Sequence, residues 1–541
     1  MINNFAKYVL ERGGSVTELE LPVEHSEGLG VCNPSLFLKG DKILCNIRRV
    51  NYLFHINDSG MWQSWYGPSC YHHPDDDVTL TTENYVCELN KDFTVKPETV
   101  KHVDYSKFYK EPKWEFIGEE DCRIVEWDKH LYLTGCRRDT ENTGISRMEL
   151  TEIDKDGKEI NRYRVPAPGD DKTYCEKNWM PVLDMPYTYV KWCNPVEVVK
   201  YDPKENKTEV IHLSDTIDMK SEDPLWDLRG NSQVLTVGDY RIAYVHEVSV
   251  WVNRYNEKNA VYYQRFIVWD KDWNFVAISP RFWFMDFKVE FGVGMVFKDN
   301  CFYLSFAVFD NCSFVIKIPK DVLFGFIFGN DVKPSPKTVL ETNERLNLLK
   351  KDNPYIAYIL DCEDPYNSYY TGVKYYKKKQ YGCAHAFFIK SAELCTKDKH
   401  KYKKLGYDAF LMCLKCNERL GRRKDKLEGM YGQLMDWDPE RFNAYYELSK
   451  VFYGGQYNYN KHNLAFLFAS LAKNKILNVI PLTGFEDANM DLTVEYILLQ
   501  YYICAYRCSK DYVAVPGLKK LRDTGSATIR DEVLRYGLNL D

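Results

Sequence analysis

The period of the chain changes once, near residue 330, and that change constrains the fold more than any other feature. Before it, short apolar and aromatic stretches are split by two- or three-residue charged turns, with almost no recurrence at three- or four-residue spacing. Ser35–Leu38, the turn Gly40-Asp41-Lys42 and Ile43–Ile47 make one hairpin. Cys122–Val125 and Leu131–Leu133 flank Asp128-Lys129 in a second, and Gln233–Val237 and Arg241–His246 flank Gly238-Asp239 in a third. Gly292–Phe297 and Cys301–Phe309 flank Lys298-Asp299-Asn300 in a fourth. Units of this kind at roughly 60 residues each fit a five-bladed β-propeller of four-stranded blades, with a pair of sandwiches as the competing arrangement. The apolar run Val322-Leu323-Phe324-Gly325-Phe326-Ile327-Phe328 reads as one more buried strand.

Residues 331–352 are polar and carry Pro334 and Pro336, so they read as a linker. Beyond them Tyr381–Leu394, Tyr407–Leu420, Arg441–Tyr453 and Asn463–Ala472 place small and apolar residues at helical spacing. Alanines at the expected contacts give these pairs a tetratricopeptide-like character. The expected fold is thus multidomain β + α: a propeller over 1–330, then an α-helical repeat domain over 353–541.

A formal charge of −6 gives no reason to invoke nucleic acid as a partner. The first residues lack a secretory h-region, no stretch has the apolar length of a transmembrane segment, and the 17 cysteines follow no framework spacing. The expectation is a cytoplasmic protein with reduced thiols. The 41 tyrosines, 28 phenylalanines and 12 tryptophans suit both strand packing and sugar-stacking surfaces.

The chemistry-bearing stretch is Gly118-Glu119-Glu120-Asp121-Cys122-Arg123, just ahead of the second hairpin. Adjacent carboxyls raise one another's pKa, so one can donate a proton while an arginine fixes an anion. Other hairpin ends carry similar groups: Asn33-Pro34-Ser35; Arg48, Asn51 and Tyr52; Lys177-Asn178; Arg229-Gly230; His246; Glu290; and Asp310. In a propeller the equivalent ends of inner strands converge on one axial pocket. Arg48, Asp121, Arg123, Lys177, Arg229, His246 and Asp310 then face one another, and cations around a carboxylate suit an anionic leaving group beside a sugar. Taken singly, each is an ordinary solvated charge or structural ion pair.

Glu120-Asp121-Cys122-Arg123 resembles the Glu-Asp-Pro-Arg signature of the five-bladed propellers that include β-mannoside phosphorylases and related mannosyltransferases, with Cys122 in place of the usual proline. Asn33-Pro34-Ser35, the Arg48 segment, Arg229-Gly230 and the Gly292–Asp310 hairpin extend the resemblance over about residues 30–320. It implies that Asp121 is the general acid, with Glu120 and Arg123 beside it, and that Arg48, Lys177, Arg229 and His246 hold phosphate. Asn33, Asn51, Tyr52, Asn178, Glu290 and Asp310 are the remaining substrate candidates, the last two for sugar hydroxyls. The implied reaction inverts an anomeric centre and needs no metal or other cofactor.

The leading expectation is an inverting glycosyltransferase that uses a sugar phosphate or nucleotide sugar donor and a glycan acceptor. A β-glycoside phosphorylase and a non-catalytic propeller–solenoid binding module are the alternatives. The helical domain could also take a protein partner. Cys413/Cys416 with Cys504/Cys508 could hold zinc, but both pairs lie in helical pattern. His72-His73 beside Asp75-Asp76-Asp77 reads as a polar loop before it reads as a metal site. The lysines from Lys374 to Lys379 and from Lys397 to Lys404 read as a solvated helical face, or as a contact for anionic glycan, lipid or nucleic acid.

Overall fold

The computed structural model describes residues 1–56, 69–72, 79–108, 111–169, 173–215, 228–252, 258–330, 336–421, 427–454, 461–476, 490–538 and 540. The chain divides into two compact units, Met1–Asn367 with Lys374–Ala386, and Ser368–Val373 with Phe387–Asp541.

Five sheets of the first unit, antiparallel except where Phe116–Ile117 joins, form the five blades of a propeller, and Leu53–Ile56 with Ser69–His72 makes a separate two-stranded sheet. Blade I pairs Val31–Lys39, Lys42–Val50, Leu80–Glu88 and Lys101–His102 in that order, with Phe116–Ile117 added beside the third strand. Blade II runs from Glu119–Trp127 through His130–Arg137 and Arg147–Ile153 to Glu159–Val165. Blade III is Met180–Pro181, Thr188–Cys193, Val196–Asp202 and Lys207–Leu213. Blade IV opens with Arg229–Gly230 and Leu235–Val237, which both pair with the long strand Tyr240–Val252, followed by Lys258–Asp270 and Phe275–Ile278.

Blade V is Glu290–Lys298, Cys301–Val308 and Cys312–Pro319, and its outer strand comes from the other end of the sequence. Ser15–Leu19 pairs with it from Ser15↔Lys317 to Leu19↔Ser313. This closes the ring by hydrogen bonds between the two ends of the propeller, and the edges that remain are the short outer strands of the blades. All four sequence-derived hairpins form as expected. Their turns follow the residues: Asp128-Lys129 and Asp299-Asn300 have positive φ at both positions, the type I′ geometry that suits a two-residue hairpin.

Aromatic residues fill the cores shared by neighbouring blades. Trp127, Trp179 and Tyr189 are buried with Val125 and Val199 in one core cluster. Met180, Val190, Val245 and Trp269 fill another. Phe284 stacks on Phe306 at 4.0 Å, and Phe5, Phe266, Phe282 and Phe326 pile beside them. The run from Val322 to Phe328, expected as a strand, is instead the helix Lys320–Phe328. Pro319 precedes it and Gly329 ends it in a left-handed cap, so both boundaries favour a helix over a ladder.

Pro336–Asp352, within the stretch read as a linker, is helical, and 331–335 lie outside the described residues. With Pro354–Leu360 it packs in the first unit. Arg345 donates to the carbonyls of Leu10 and Gly14, and the Tyr358 hydroxyl donates to that of Met285 at 2.8 Å.

In the second unit, Lys403–Arg419, Glu428–Trp437, Phe442–Tyr453, His462–Lys475, Met490–Arg507, Asp511–Thr524 and Ala527–Arg535 are helices, each against the next. Tyr407–Leu420, Arg441–Tyr453 and Asn463–Ala472, read as helical from the sequence, lie within or overlap these, and Tyr381–Leu394 lies within the helix Tyr381–Thr396. A buried Arg441–Asp408 pair at 2.8 Å, with Arg441 over the Tyr407 ring, pins the first of them. Among the described residues no helix is long and apolar enough to cross a membrane. Cys413, Cys416 and Cys504 are buried on helices, and no group of three or more metal-ligating side chains is gathered among the described residues. His73 and Asp75–Asp77 lie outside them.

Candidate active site

The inner strand of each blade begins at the same end of the ring, and the pairing fixes what stands there. In blade I Cys32 faces Arg48, and in blade II Glu120 faces Cys136. In blade IV Arg229 faces His246, and in blade V Glu290 faces Val308, two residues ahead of Asp310. In blade III Lys177 and Asn178 lead directly into Met180.

Three of these strands carry a bulge at that point. Asn33-Pro34 opposes one residue, Asp121-Cys122 opposes Gly135, and Gly292-Val293 opposes Phe306. A bulge re-aims a side chain without breaking the ladder below it. Asn33, Asp121 and Asn178 have φ of 44°, 54° and 65°, a region that asparagine and aspartate enter more readily than other non-glycine residues. Gly135 is required opposite: a Cβ there would stand 2.4 Å from the Glu120 carbonyl oxygen and 2.8 Å from Cys122 Sγ.

Aligned on these positions, the chain holds a quasi-repeat that reading motif by motif misses. Asn33, Asp121, Asn178, Asn231 and Gly292 occupy one layer. Two residues further on, Ser35, Arg123, Met180, Gln233 and Gly294 occupy the layer below. Gln233 ties that lower layer together. Its Nε2 donates to Ser35 Oγ at 3.1 Å, to Leu36 O at 2.8 Å and to Ile124 O at 3.0 Å, while its Oε1 accepts from Met295 N–H at 3.1 Å. One amide of blade IV thereby holds blades I, II and V beneath the cluster.

Asp121 is the centre of the upper layer. Its Oδ1 accepts from Asn33 Nδ2 at 2.6 Å and from Arg48 Nη1 at 2.9 Å. Arg48 is itself held by Thr82 Oγ1 at 3.0 Å. Burial alone would raise the Asp121 pKa, but Arg48, Arg123 and Lys177, with the Asn33 hydrogen bond, outweigh it and hold the carboxyl below its usual range. Asp310, on a left-handed backbone of φ 51°, accepts from the Tyr52 hydroxyl at 3.2 Å. Burial raises its pKa, and the Arg48 charge opposes that rise without reversing it.

Lys177 is the exposed cation of the cluster and makes no ion pair or hydrogen bond among the described residues. The protein packed around its ammonium works against its charge, but Cys136 and Asp121 raise its pKa. Arg229 lies over the Trp192 ring at 5.4 Å. His246 is buried; burial first, then Lys177 and Arg229, push its pKa down to about 3, so it is neutral.

Other candidates have structural duties. Arg123 is fully buried and donates to three backbone carbonyls: Asp121 at 2.7 Å, Asn231 at 2.7 Å and Gly230 at 3.3 Å. It fixes the Asp121 backbone and joins blade II to blade IV, but does not touch the Asp121 carboxylate. The Glu290 carboxylate accepts the backbone N–H groups of Phe284, Met285 and Phe287, so it is taken up by that loop and is not brought into the cluster. Asn51 bridges Thr79 O and Thr81 N. Glu120 is half-buried beside Asp121, whereas Glu119 turns into blade II, accepting from Thr151 Oγ1 at 2.8 Å.

Sequence reasoning missed Asn231, Gln233 and Tyr262. The quasi-repeat itself was the signal for the first two. Tyr262 stands beside His246 and Phe291, at ring distances of 5.7 and 6.4 Å, through a pairing 16 residues away that no local pattern announces.

Neither a family model nor a curated protein matches the chain. Solved structures similar to it include a β-1,2-mannobiose phosphorylase from Listeria innocua, at 10% identity and TM-score 0.36, over 55% of this chain and 92% of that one. A mannose phosphorylase from Leishmania mexicana, solved with phosphate, is similar at 15% identity and TM-score 0.33, over 59% and 93%. A GDP-Man-dependent mannosyltransferase from the same organism is similar at 12% identity and TM-score 0.31, over 58% and 94%. The five-bladed ring itself rests on the strand pairing given above.

Proposed function

We propose that the propeller is an inverting glycan-active enzyme that moves a glycosyl group between a phosphate-activated donor and a glycan acceptor. The observation that carries this reading is the Asp121 carboxylate, held by Arg48 and Asn33 on a bulge, within reach of the charge of Lys177.

In the transfer direction the acceptor hydroxyl oxygen attacks the anomeric carbon from the face opposite the phosphate. The bond from that carbon to the phosphate oxygen breaks, its electron pair leaves with the phosphate, and Lys177 meets the resulting charge. Asp121 takes the hydroxyl proton. A carboxyl kept ionised by its neighbours suits this role as base. In the reverse direction the protonated Asp121 returns that proton to the bridging oxygen while phosphate attacks, which is phosphorolysis. In this reading Arg229 lines the phosphate side, Asp310 and Tyr52 take sugar hydroxyls, and Asn178 borders the pocket. The successive helices of the second unit are the candidate surface for a large acceptor or a protein partner, and their tetratricopeptide-like character belongs to this proposal.

Incubation with a panel of sugar 1-phosphates and nucleotide sugars, beside Asp121→Asn, tests the reading. Nucleotide release abolished by the substitution supports transfer, and phosphate exchange abolished by it supports phosphorolysis. Turnover that survives Asp121→Asn, or silence across the whole panel, counts against it.

A further inference from the structure

Resting on that reading, we propose that His246, Tyr262 and Phe291 form a neutral saccharide-binding wall, in which the Tyr262 ring stacks on a sugar face and His246 accepts a sugar hydroxyl. His246 is thereby assigned to the sugar and not to the phosphate.

A chain of hydrogen bonds anchored on a backbone carbonyl fixes how His246 is protonated. The Glu290 carbonyl can only accept, so Gln264 Nε2 donates to it, at 2.7 Å. Gln264 Oε1 is therefore the acceptor for Asn231 Nδ2 at 2.6 Å. Asn231 then presents Oδ1 to His246 Nδ1 at 2.5 Å, and Nδ1 must carry the hydrogen. In the neutral ring this leaves Nε2 as a bare acceptor, and it has no partner among the described residues. A bare nitrogen offers no hydrogen to the anionic oxygens of a phosphate, whereas a sugar hydroxyl can donate to it. Asn231 and Gln264 are positioning residues for it.

Beside it, Tyr262 is half-buried, with its backbone pinned by Tyr262 N–H to Lys288 O at 2.9 Å and by Trp283 Nε1–H to Tyr262 O at 2.8 Å. Its hydroxyl has no partner among the described residues, and Phe291 meets the His246 ring edge-on at 5.0 Å. Most of the rest of the cluster is charged, namely Asp121, Arg48, Lys177, Arg229 and Asp310, and the Tyr52 hydroxyl is engaged by Asp310. A pyranose carries an apolar C–H face as well as hydroxyls. The aromatic pair is the surface of this pocket that suits that face.

The test measures binding of two probes separately, neutral hexosides and disaccharides on one side and inorganic phosphate on the other. Tyr262→Ala is expected to weaken the saccharides by about tenfold while phosphate changes by less than about twofold, with Lys177→Met doing the opposite. Tyr262→Phe, which keeps the ring, is expected to stay within about threefold of wild type. Nitrogen-15 spectra of the histidines are expected to show His246 protonated on Nδ1 at neutral pH, with and without phosphate.

Loss of phosphate binding in Tyr262→Ala, an equal loss in Tyr262→Phe, or a proton on Nε2 would overturn the proposal. If wild type turns over donor and Tyr262→Ala binds saccharide equally well, the wall fails and the glycan-active reading stands. If wild type neither binds saccharide nor consumes donor, both fail.

Discussion

Arg48 Nη1 lies 2.9 Å from Asp121 Oδ1, and the pair bridges the second strand of blade I and the inner strand of blade II with only 6% and 12% of the two side chains exposed. Both charges have given up most of their water, so each depends on the other. Arg48→Met is expected to lower stability by about 3 kcal/mol, because it leaves a buried carboxylate unpaired. Asp121→Asn in the Arg48→Met background should recover part of that loss. Denaturant titrations of the single and double variants check this, and strictly additive losses would contradict it.

Lys177 makes no ion pair or hydrogen bond among the described residues. Lys177→Met is expected to leave stability within about 0.5 kcal/mol of wild type. The same substitution should weaken phosphate binding by about 10- to 100-fold, the value of a hydrogen bond to a charged group. Calorimetric titration of phosphate beside a melting curve separates the two effects. A large drop in melting temperature would point to a structural lysine instead.

Gln233 makes four hydrogen bonds to three other blades from a fully buried amide. Gln233→Leu keeps the volume but strands the Met295 N–H and the carbonyls of Leu36 and Ile124. A loss of about 3 kcal/mol or more is expected in chemical denaturation.

Glu119 sits fully buried near Glu149, and burial first, then that neighbour, raises its pKa to about 8; burial raises Glu290 to about 7. Unfolded, both ionise near pH ~4.3. The folded state therefore holds more protons between those values. Its stability from these groups is complete below about pH 4 and falls as pH rises through 7 to 8. His246 acts at the other end. Its folded pKa of about 3 lies below the unfolded value near ~6.5, so its contribution is full at neutral pH and lost on acidification. Glu119→Gln is expected to flatten the alkaline decline, read from denaturant midpoints at several pH values. An unchanged slope would exclude Glu119 as its source.

Asn33, Asp121 and Asn178 were each legible as polar candidates beside a hairpin, but the left-handed backbone they share appears only in the structure. The two-residue turns and the alternation beside them made all four hairpins legible, because both depend on near neighbours. The Lys320–Phe328 helix was misread as a strand, since a short run apolar on every side has no period.

What the sequence determined alone was local: strand, turn and helix, the change of period near 330, and a polar group at the head of each inner strand. Only the tertiary structure decided which of those groups share a charge environment. Arg48 and Asp121 are 73 residues apart and meet because two blades lie side by side. Arg123 within the motif and Glu290 at the head of blade V, both read as site candidates, were spent on backbone carbonyls and amides. Side-chain type is written in the chain; the partner that neutralises a buried charge is set by ring closure, which brings distant strand ends within hydrogen-bond reach.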